Sequence, residues 1–217
     1  MSTKPFLDLY SYGNPSDLAG QIGEQGVSNL LGIVCDAYQR LNQKHNIRQE
    51  MSEDDITEEL YIEVEWVWSK SGITETIRPM PQKRDKTFAK PRGRPPTIDF
   101  CFRDTWVGEA FFGFECKLLA EGDKRLYNEY VENGLYRYLS GRYCAHGSAG
   151  SLVGYVKFGN LSTIIEDVKA KVDAERILKD MAIASPIGEF KEHYVSVHSR
   201  ETPLPSFCVH HLFFSFV

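Results

Sequence analysis

The sequence has little cysteine and no cysteine pattern of known chemistry. Its 217 residues include five cysteines, an odd number with no CxxC pair. A disulfide framework and a cysteine-based metal site both need characteristic spacings, so neither is expected. The simplest interpretation is a set of reduced, packed thiols in a reducing compartment, which we take to be the cytoplasm.

The chain also lacks long apolar runs, internal repeats and an excess of positive charge. Its first residues, "MSTKPFLDLYSYGNPSD", contain no apolar signal core, and no run approaches the length of a membrane span. We therefore expect no membrane partner. The net charge of −5 argues against an avid, nonspecific nucleic-acid binder, although it leaves room for a local basic patch.

The hydrophobic periodicity predicts alternating helices and strands in one mixed α/β domain over residues 1–217. The predicted order is two helices, three strands, a helix, a strand, a helix and two strands. Such a pattern favours a central sheet with helices on both sides. The predicted helices cover 14–43, 52–72, 124–141 and 160–182, the strands cover 73–80, 97–103, 110–119, 151–159, 193–199 and 206–217, and a loop covers 81–96.

Two of these strands carry acids where a buried strand would normally have apolar residues. Asp99 lies in "TIDF" and Glu115 in "FGFECK", with Lys117 two residues later. In an antiparallel hairpin centred near Val107, paired residue numbers sum to about 214, which places Asp99 opposite Glu115 with Cβ atoms roughly 4.5–5.5 Å apart. Lys117 then points to the same face as Glu115, while the other face carries Ile98, Phe100, Phe102, Phe112 and Phe114.

Two carboxylates at this separation repel each other, and a divalent cation between them removes the repulsion. Carboxylate oxygens suit Mg²⁺ and Mn²⁺, and an ion held there can activate water and bind a phosphate oxygen. Lys117 could hold the attacking water or stabilise the charge that develops on the phosphate. The pattern therefore predicts metal-assisted phosphodiester hydrolysis. The alternative interpretation is a solvated ion cluster on an exposed sheet face.

The motif "TIDF", the fifteen residues between Asp99 and Glu115, and "ECK" together resemble the PD-(D/E)xK nuclease superfamily. The resemblance covers roughly residues 52–158, with helical and strand additions at the two ends. It implies a restriction-endonuclease-like fold, a mixed β-sheet core flanked by α-helices. It also implies that Asp99 and Glu115 bind the metal, that the backbone carbonyl of Cys116 is a further ligand, and that Lys117 is the catalytic lysine.

The resemblance implies one more acid, a glutamate from the preceding helix. Glu59 is the first candidate and Glu63 the second, because both lie at the edge of the apolar stripe of that helix. The sequence departs from the family pattern at Ile98, where a proline would precede the aspartate. The implied cofactor is Mg²⁺, for which Mn²⁺ can substitute, and the implied activity is that of an endonuclease resembling restriction or anti-phage defence components.

Basic residues near these strands provide candidate contacts to nucleic acid, with DNA expected in preference to RNA. The segment "QKRDKTFAKPRGRPP" leads into the Asp99 strand and includes Lys90, Arg92 and Arg94. Arg137 and Arg142 lie on and just after the helix that follows the motif. Either set could contact phosphates, and either could simply be a solvated surface.

Two other functions are compatible with the same residues. The chain could be a non-catalytic subunit with a nuclease-like fold that binds nucleic acid or a protein partner. It could also be active only as a homodimer or within a larger complex. The intact set of Asp99, Glu115 and Lys117 favours the catalytic interpretation.

Overall fold

A computed structural model of the chain describes residues 16–73, 76–84, 97–106 and 110–217. Within these segments, a π-helical segment, Tyr130–Leu135, connects two short helices. The helices are α1 (Leu18–Gln43), α2 (Glu53–Lys70), α3 (Lys124–Glu129), α4 (Tyr136–Leu139) and α5 (Leu161–Val172). The strands are β1 (Ile77–Arg84), β2 (Thr97–Asp104), β3 (Phe111–Ala120), β4 (Ala149–Phe158), β5 (Ile177–Ile183), β6 (His193–His198) and β7 (Phe207–Ser215).

The described strands form one mixed, mostly antiparallel sheet of seven strands in the order β1-β2-β3-β4-β7-β6-β5. The strands β1, β2 and β3 form an antiparallel meander. After the next helices, β4 returns parallel to β3, and β7 pairs parallel to β4. The predicted order of a helix, three consecutive strands, a helix and a strand is therefore confirmed, and the structure adds that the last strand is parallel to β3.

Apolar side chains on the two faces of the sheet form two separate cores. On one face, α1 and α2 cover four phenylalanines of the β2–β3 hairpin, of which Phe100 and Phe114 stack with their ring centroids 4.7 Å apart. On the other face, Tyr130, Tyr138 and the apolar stripe of α5 pack on the sheet. The expected arrangement of helices on both sides of the sheet is confirmed.

The ends of α2 follow from local sequence signals. The hydroxyl of Ser52 accepts a hydrogen bond from the backbone N–H of Asp55, whose carboxylate accepts one from the backbone N–H of Ser52. This reciprocal cap fixes the first turn of the helix, which contains Glu53. Gly72 has a φ of 68°, a left-handed conformation that glycine adopts at little cost, and it follows the end of the helix.

Two element predictions are wrong. The helix predicted over 160–182 ends at Val172, and residues 177–183 form the edge strand β5. The turn between them is fixed by tertiary contacts, because Asp173 Oδ1 accepts a hydrogen bond from the Met181 N–H at 2.7 Å. The strand β1 also extends into the predicted loop, to Arg84. It contains Pro79 and Pro81, which an edge strand tolerates because it pairs on one side only.

The π-helical segment passes close to β3, where Lys117 lies. A side chain at Gly134 would place its Cβ 2.9 Å from Leu152 Cδ2 and 3.6 Å from Lys117 Cγ. Glycine thus permits the close approach. A π-helical segment also inserts an extra residue into a helix and is frequent at functional sites. The next turn buries Tyr138 and directs Arg137 towards Glu115.

No helix in the described segments is long and apolar enough to cross a membrane.

Candidate metal and phosphodiester site

The register of the hairpin brings Asp99 and Glu115 together. Phe100 pairs with Phe114 and Arg103 with Phe111, so paired numbers sum to 214 as predicted. At the next position towards the start of β2, Asp99 Oδ2 accepts a hydrogen bond from the Cys116 N–H at 2.7 Å. The Asp99 carboxylate therefore lies beside the peptide group that follows Glu115.

The regular alternation of side chains in β2 breaks at Asp99. Alternation would place Ile98 in the same core as Phe100, yet Ile98 packs in the other core with Cys101. Gly113 leaves the necessary space, because a Cβ there would lie 2.1 Å from Ile98 Cδ1. As a result, Asp99 borders a cavity of about 390 Å³ on the α2 side of the sheet. The prediction that Ile98 shares a face with Phe100 is wrong for this reason.

Glu115 lies at the centre of a buried ion cluster. Its side chain is 0% exposed, and Oε1 contacts Lys117 Nζ at 2.9 Å and accepts a hydrogen bond from Arg137 at 2.5 Å. Its other oxygen, Oε2, is buried and has no hydrogen-bond partner among the described residues. A buried carboxylate oxygen without a partner is costly, so this atom is a candidate ligand for a cation.

Lys117 connects the cluster to α2 and to the backbone of β3. Its Nζ donates to Glu53 Oε1 at 2.8 Å and to the carbonyl of Cys116 at 2.5 Å. The other oxygen of Glu53 accepts a hydrogen bond from the Leu118 N–H at 3.0 Å. Because the Lys117 side chain is only 7% exposed, the interpretation as a solvated surface cluster is wrong.

The two acids retain protons at higher pH than ordinary carboxyls. Burial raises the pKa of Asp99 to about 6, although Lys117 partly opposes this effect. Burial, together with the charge of Asp99, raises the pKa of Glu115 to about 7. Burial alone would lower the pKa of Lys117. The negative charges of Glu115 and Glu53 outweigh this effect and raise the pKa of the lysine. An additional cation would therefore stabilise the charged forms of the two acids. Lys117 stays protonated at neutral pH.

The acid that α2 contributes to the cluster is Glu53, in the first turn of the helix, which was not among the predicted ligands. In this structure the carboxylate of Glu63 pairs with Arg40 of α1, at 2.9 Å, and with Lys44, the residue after α1. These contacts hold Glu63 against α1, and its role as a ligand stays a prediction. Glu59 precedes Glu63 by one turn on the same side of α2, and its role stays a prediction. Asp54 and Glu58 border the cavity next to Asp99.

The oxygen donors of this cluster suit a hard divalent cation. They are the carboxylates of Asp99 and Glu115, including the unpartnered Oε2, and the carbonyl of Cys116. Mg²⁺ and Mn²⁺ prefer such oxygen ligands. In the described segments, no group of three or more His, Cys, Asp or Glu side chains could hold a metal ion. The expected metal ligands are two carboxylates and one backbone carbonyl, and water or substrate would complete the coordination.

The basic residues predicted to contact nucleic acid have different positions. Arg137 belongs to the cluster itself through Glu115. Arg142 is exposed and borders, with Arg137, Tyr136, Ser140 and the acid Glu132, a neighbouring cavity of about 410 Å³. The other three, Lys90, Arg92 and Arg94, lie outside the described residues.

Comparisons with known protein families, with curated proteins and with solved structures give no match to this chain.

Proposed function

We propose that the chain is a Mg²⁺-dependent endonuclease of the PD-(D/E)xK type that hydrolyses phosphodiester bonds, with DNA preferred to RNA. The observation that carries the proposal is the buried pair of acids on adjacent strands, with one unpartnered oxygen and a protonated lysine in contact. A restriction or anti-phage defence role is the biological setting we propose. Mn²⁺ is expected to substitute for Mg²⁺.

The residues have distinct roles in this proposal. Asp99, Glu115 and the Cys116 carbonyl would hold the ion, which supplies Lewis-acid stabilisation and lowers the pKa of water. Lys117 is protonated, so it cannot take a proton from the attacking water. It acts instead as a charged hydrogen-bond donor to the oxygen atoms of the phosphate. Glu53 positions Lys117 by holding its ammonium group and the adjacent N–H of Leu118.

The alternative is a non-catalytic subunit that binds nucleic acid or a protein partner. One observation favours it, namely that the cluster already contains two cations. Lys117 and Arg137 both contact Glu115, so the carboxylate has counter-charges without any metal. A chain that has lost catalysis could keep such a cluster as a structural element of its core.

The two functions can be separated with the purified full chain and a set of nucleic acids. We expect supercoiled plasmid, linear duplex or single-stranded DNA to be cleaved in Mg²⁺ or Mn²⁺, and cleavage to stop in EDTA. RNA is tested in parallel. The Asp99→Asn variant, purified in the same way, controls for contaminating nucleases. Binding in a gel-shift assay without cleavage of any substrate would favour the non-catalytic subunit, and cleavage that persists in EDTA would contradict the metal mechanism.

A further inference from the structure

Two cationic side chains occupy part of the proposed metal site, namely Glu115 Oε1 and the Cys116 carbonyl, whereas Glu115 Oε2 has no partner among the described residues. Lys117 Nζ contacts Glu115 Oε1 and the Cys116 carbonyl, and Arg137 also donates to Glu115 Oε1. A divalent cation at this position would therefore lie next to two existing positive charges. At least one of them has to weaken its contact before the ion can bind with full affinity.

Burial indicates which of the two cations moves. The side chain of Lys117 is 7% exposed and is held by Glu53, Glu115 and the Cys116 carbonyl. The side chain of Arg137 is 29% exposed and borders the cavity of about 410 Å³ beside the cluster. Arg137 therefore has space on its outer side, and Lys117 does not.

Tyr143 keeps Arg137 near the cluster. Its hydroxyl donates to the carbonyl of Thr97 at 2.6 Å, so its oxygen accepts the hydrogen bond from Arg137, at 2.7 Å. The guanidinium group of Arg137 also lies 5.6 Å from the centre of the tyrosine ring. One nitrogen of Arg137, Nη1, makes both the contact to Glu115 and the contact to Tyr143. This nitrogen carries two hydrogens, so it can keep the Tyr143 contact while the Glu115 contact breaks, and the other guanidinium N–H groups can then donate to a new acceptor.

The charges of the cluster favour an anion as the next acceptor. When ionised, Asp99, Glu115 and Glu53 carry three negative charges, and Lys117 and Arg137 carry two positive ones, which leaves −1. A bound divalent cation changes this sum to +1. A phosphate group would neutralise the excess, and the guanidinium fork matches two phosphate oxygens.

We propose that Arg137 exchanges partners between two states of the site. In the metal-free chain it neutralises Glu115. When a divalent cation binds, Arg137 leaves Glu115, turns towards the cavity next to Tyr136 and Arg142, and binds a phosphate of the nucleic-acid backbone. This exchange rests on the proposed metal-dependent function and adds a second role, because Arg137 opposes metal binding and supports substrate binding. It also couples the two events, since the metal releases the arginine that holds the phosphate.

The test asks whether Arg137→Gln raises or lowers two affinities, that for Mn²⁺ and that for DNA. We expect this variant to bind Mn²⁺ about tenfold more tightly in calorimetry without nucleic acid, because the competing charge is gone. We expect it to bind a short DNA duplex in Ca²⁺ about tenfold more weakly. The slope of log affinity against log salt concentration should fall by about the amount that one phosphate contact contributes. Arg137→Lys keeps the charge, so its Mn²⁺ affinity should match the wild type while its DNA affinity falls.

The control is Arg125→Gln on α3, whose side chain is 73% exposed, and neither affinity should change in it. Thermal unfolding of each variant verifies that it is folded at the temperature of the binding measurement. If Arg137→Gln binds Mn²⁺ more weakly than the wild type, or equally well, the exchange is wrong even if the wild type cleaves DNA. If the wild type binds no Mn²⁺, both the exchange and the proposed nuclease function fail.

Discussion

Asp99→Asn is expected to reduce Mg²⁺-dependent cleavage by about 10³-fold or more, because a metal supplies several kcal/mol of charge stabilisation that this variant loses. The asparagine keeps an oxygen that can accept the hydrogen bond from the Cys116 N–H, so the fold should be preserved. Single-turnover cleavage across a Mg²⁺ titration measures the effect. Asp180→Asn is the matched control, since Asp180 is exposed on β5 at the far edge of the sheet.

The same variant should make the metal-free protein more stable, with a defined pH dependence. The pKa of Asp99 is raised to about 6 in the folded chain, so its ionisation opposes folding. Near pH 4 the Asp99 carboxyl is protonated in the folded protein, so its burial destabilises the fold only slightly. Above pH 6 the carboxyl is ionised, and the full destabilisation is present. We expect a gain of about 1–2 kcal/mol at pH 8, or roughly 2–8 °C in melting temperature, and almost none at pH 4. Cleavage equal to that of the wild type, or a loss of stability at pH 8, would contradict the assignment of Asp99.

Lys117→Met is expected to lower the rate of cleavage by about two to four orders of magnitude without weakening metal binding. The lysine is protonated and donates hydrogen bonds, so it serves the chemical step and is not a ligand. Removing its charge should leave the affinity for Mn²⁺ equal or higher, because the two carboxylates then have one cation fewer. Calorimetry and single-turnover kinetics on the same preparation measure the two effects.

This variant also tests how the buried cluster is held together. Glu115 would lose one of its two counter-charges, and breaking such a buried pair typically costs about 3–5 kcal/mol of stability. The measurements are therefore made well below the melting temperature of the variant. Lys191→Met, at an exposed position before β6, is the control. A variant that turns over like the wild type, or that loses Mn²⁺ binding, would show that Lys117 does not have the proposed role.

The hairpin that carries the site could be predicted because its register is a local property. The polar residues between the two strands fix the centre of the turn, and the sum of 214 then places Asp99 beside Glu115 without knowledge of the rest of the chain. The break in alternation at Asp99 could not be predicted, since it depends on the space that Gly113 provides for Ile98. The strand register is thus set by sequence neighbours, whereas the direction of the carboxylate is set by tertiary packing.

The residues that complete the cluster were harder to predict, because they come from other elements. Glu53 belongs to a first turn with three acids, and all three fit the usual preference for negative charge at a helix N-terminus. Only the packing of α2 against β3 distinguishes Glu53 from its neighbours. The strand β5 was missed for a related reason, since residues 173–182 contain good helix formers and pairing with β6 overrides that preference.

The measurement that tests the account most directly is a crystal structure of the wild-type protein soaked in Mn²⁺, with the ion located by its anomalous scattering. We predict a peak within coordination distance, about 2.0–2.3 Å, of oxygen atoms from Asp99 and Glu115, with the Cys116 carbonyl as a further ligand. Arg137 should then have left Glu115. If Mn²⁺ at millimolar concentration gives no peak between these two carboxylates, the proposed metal site is wrong.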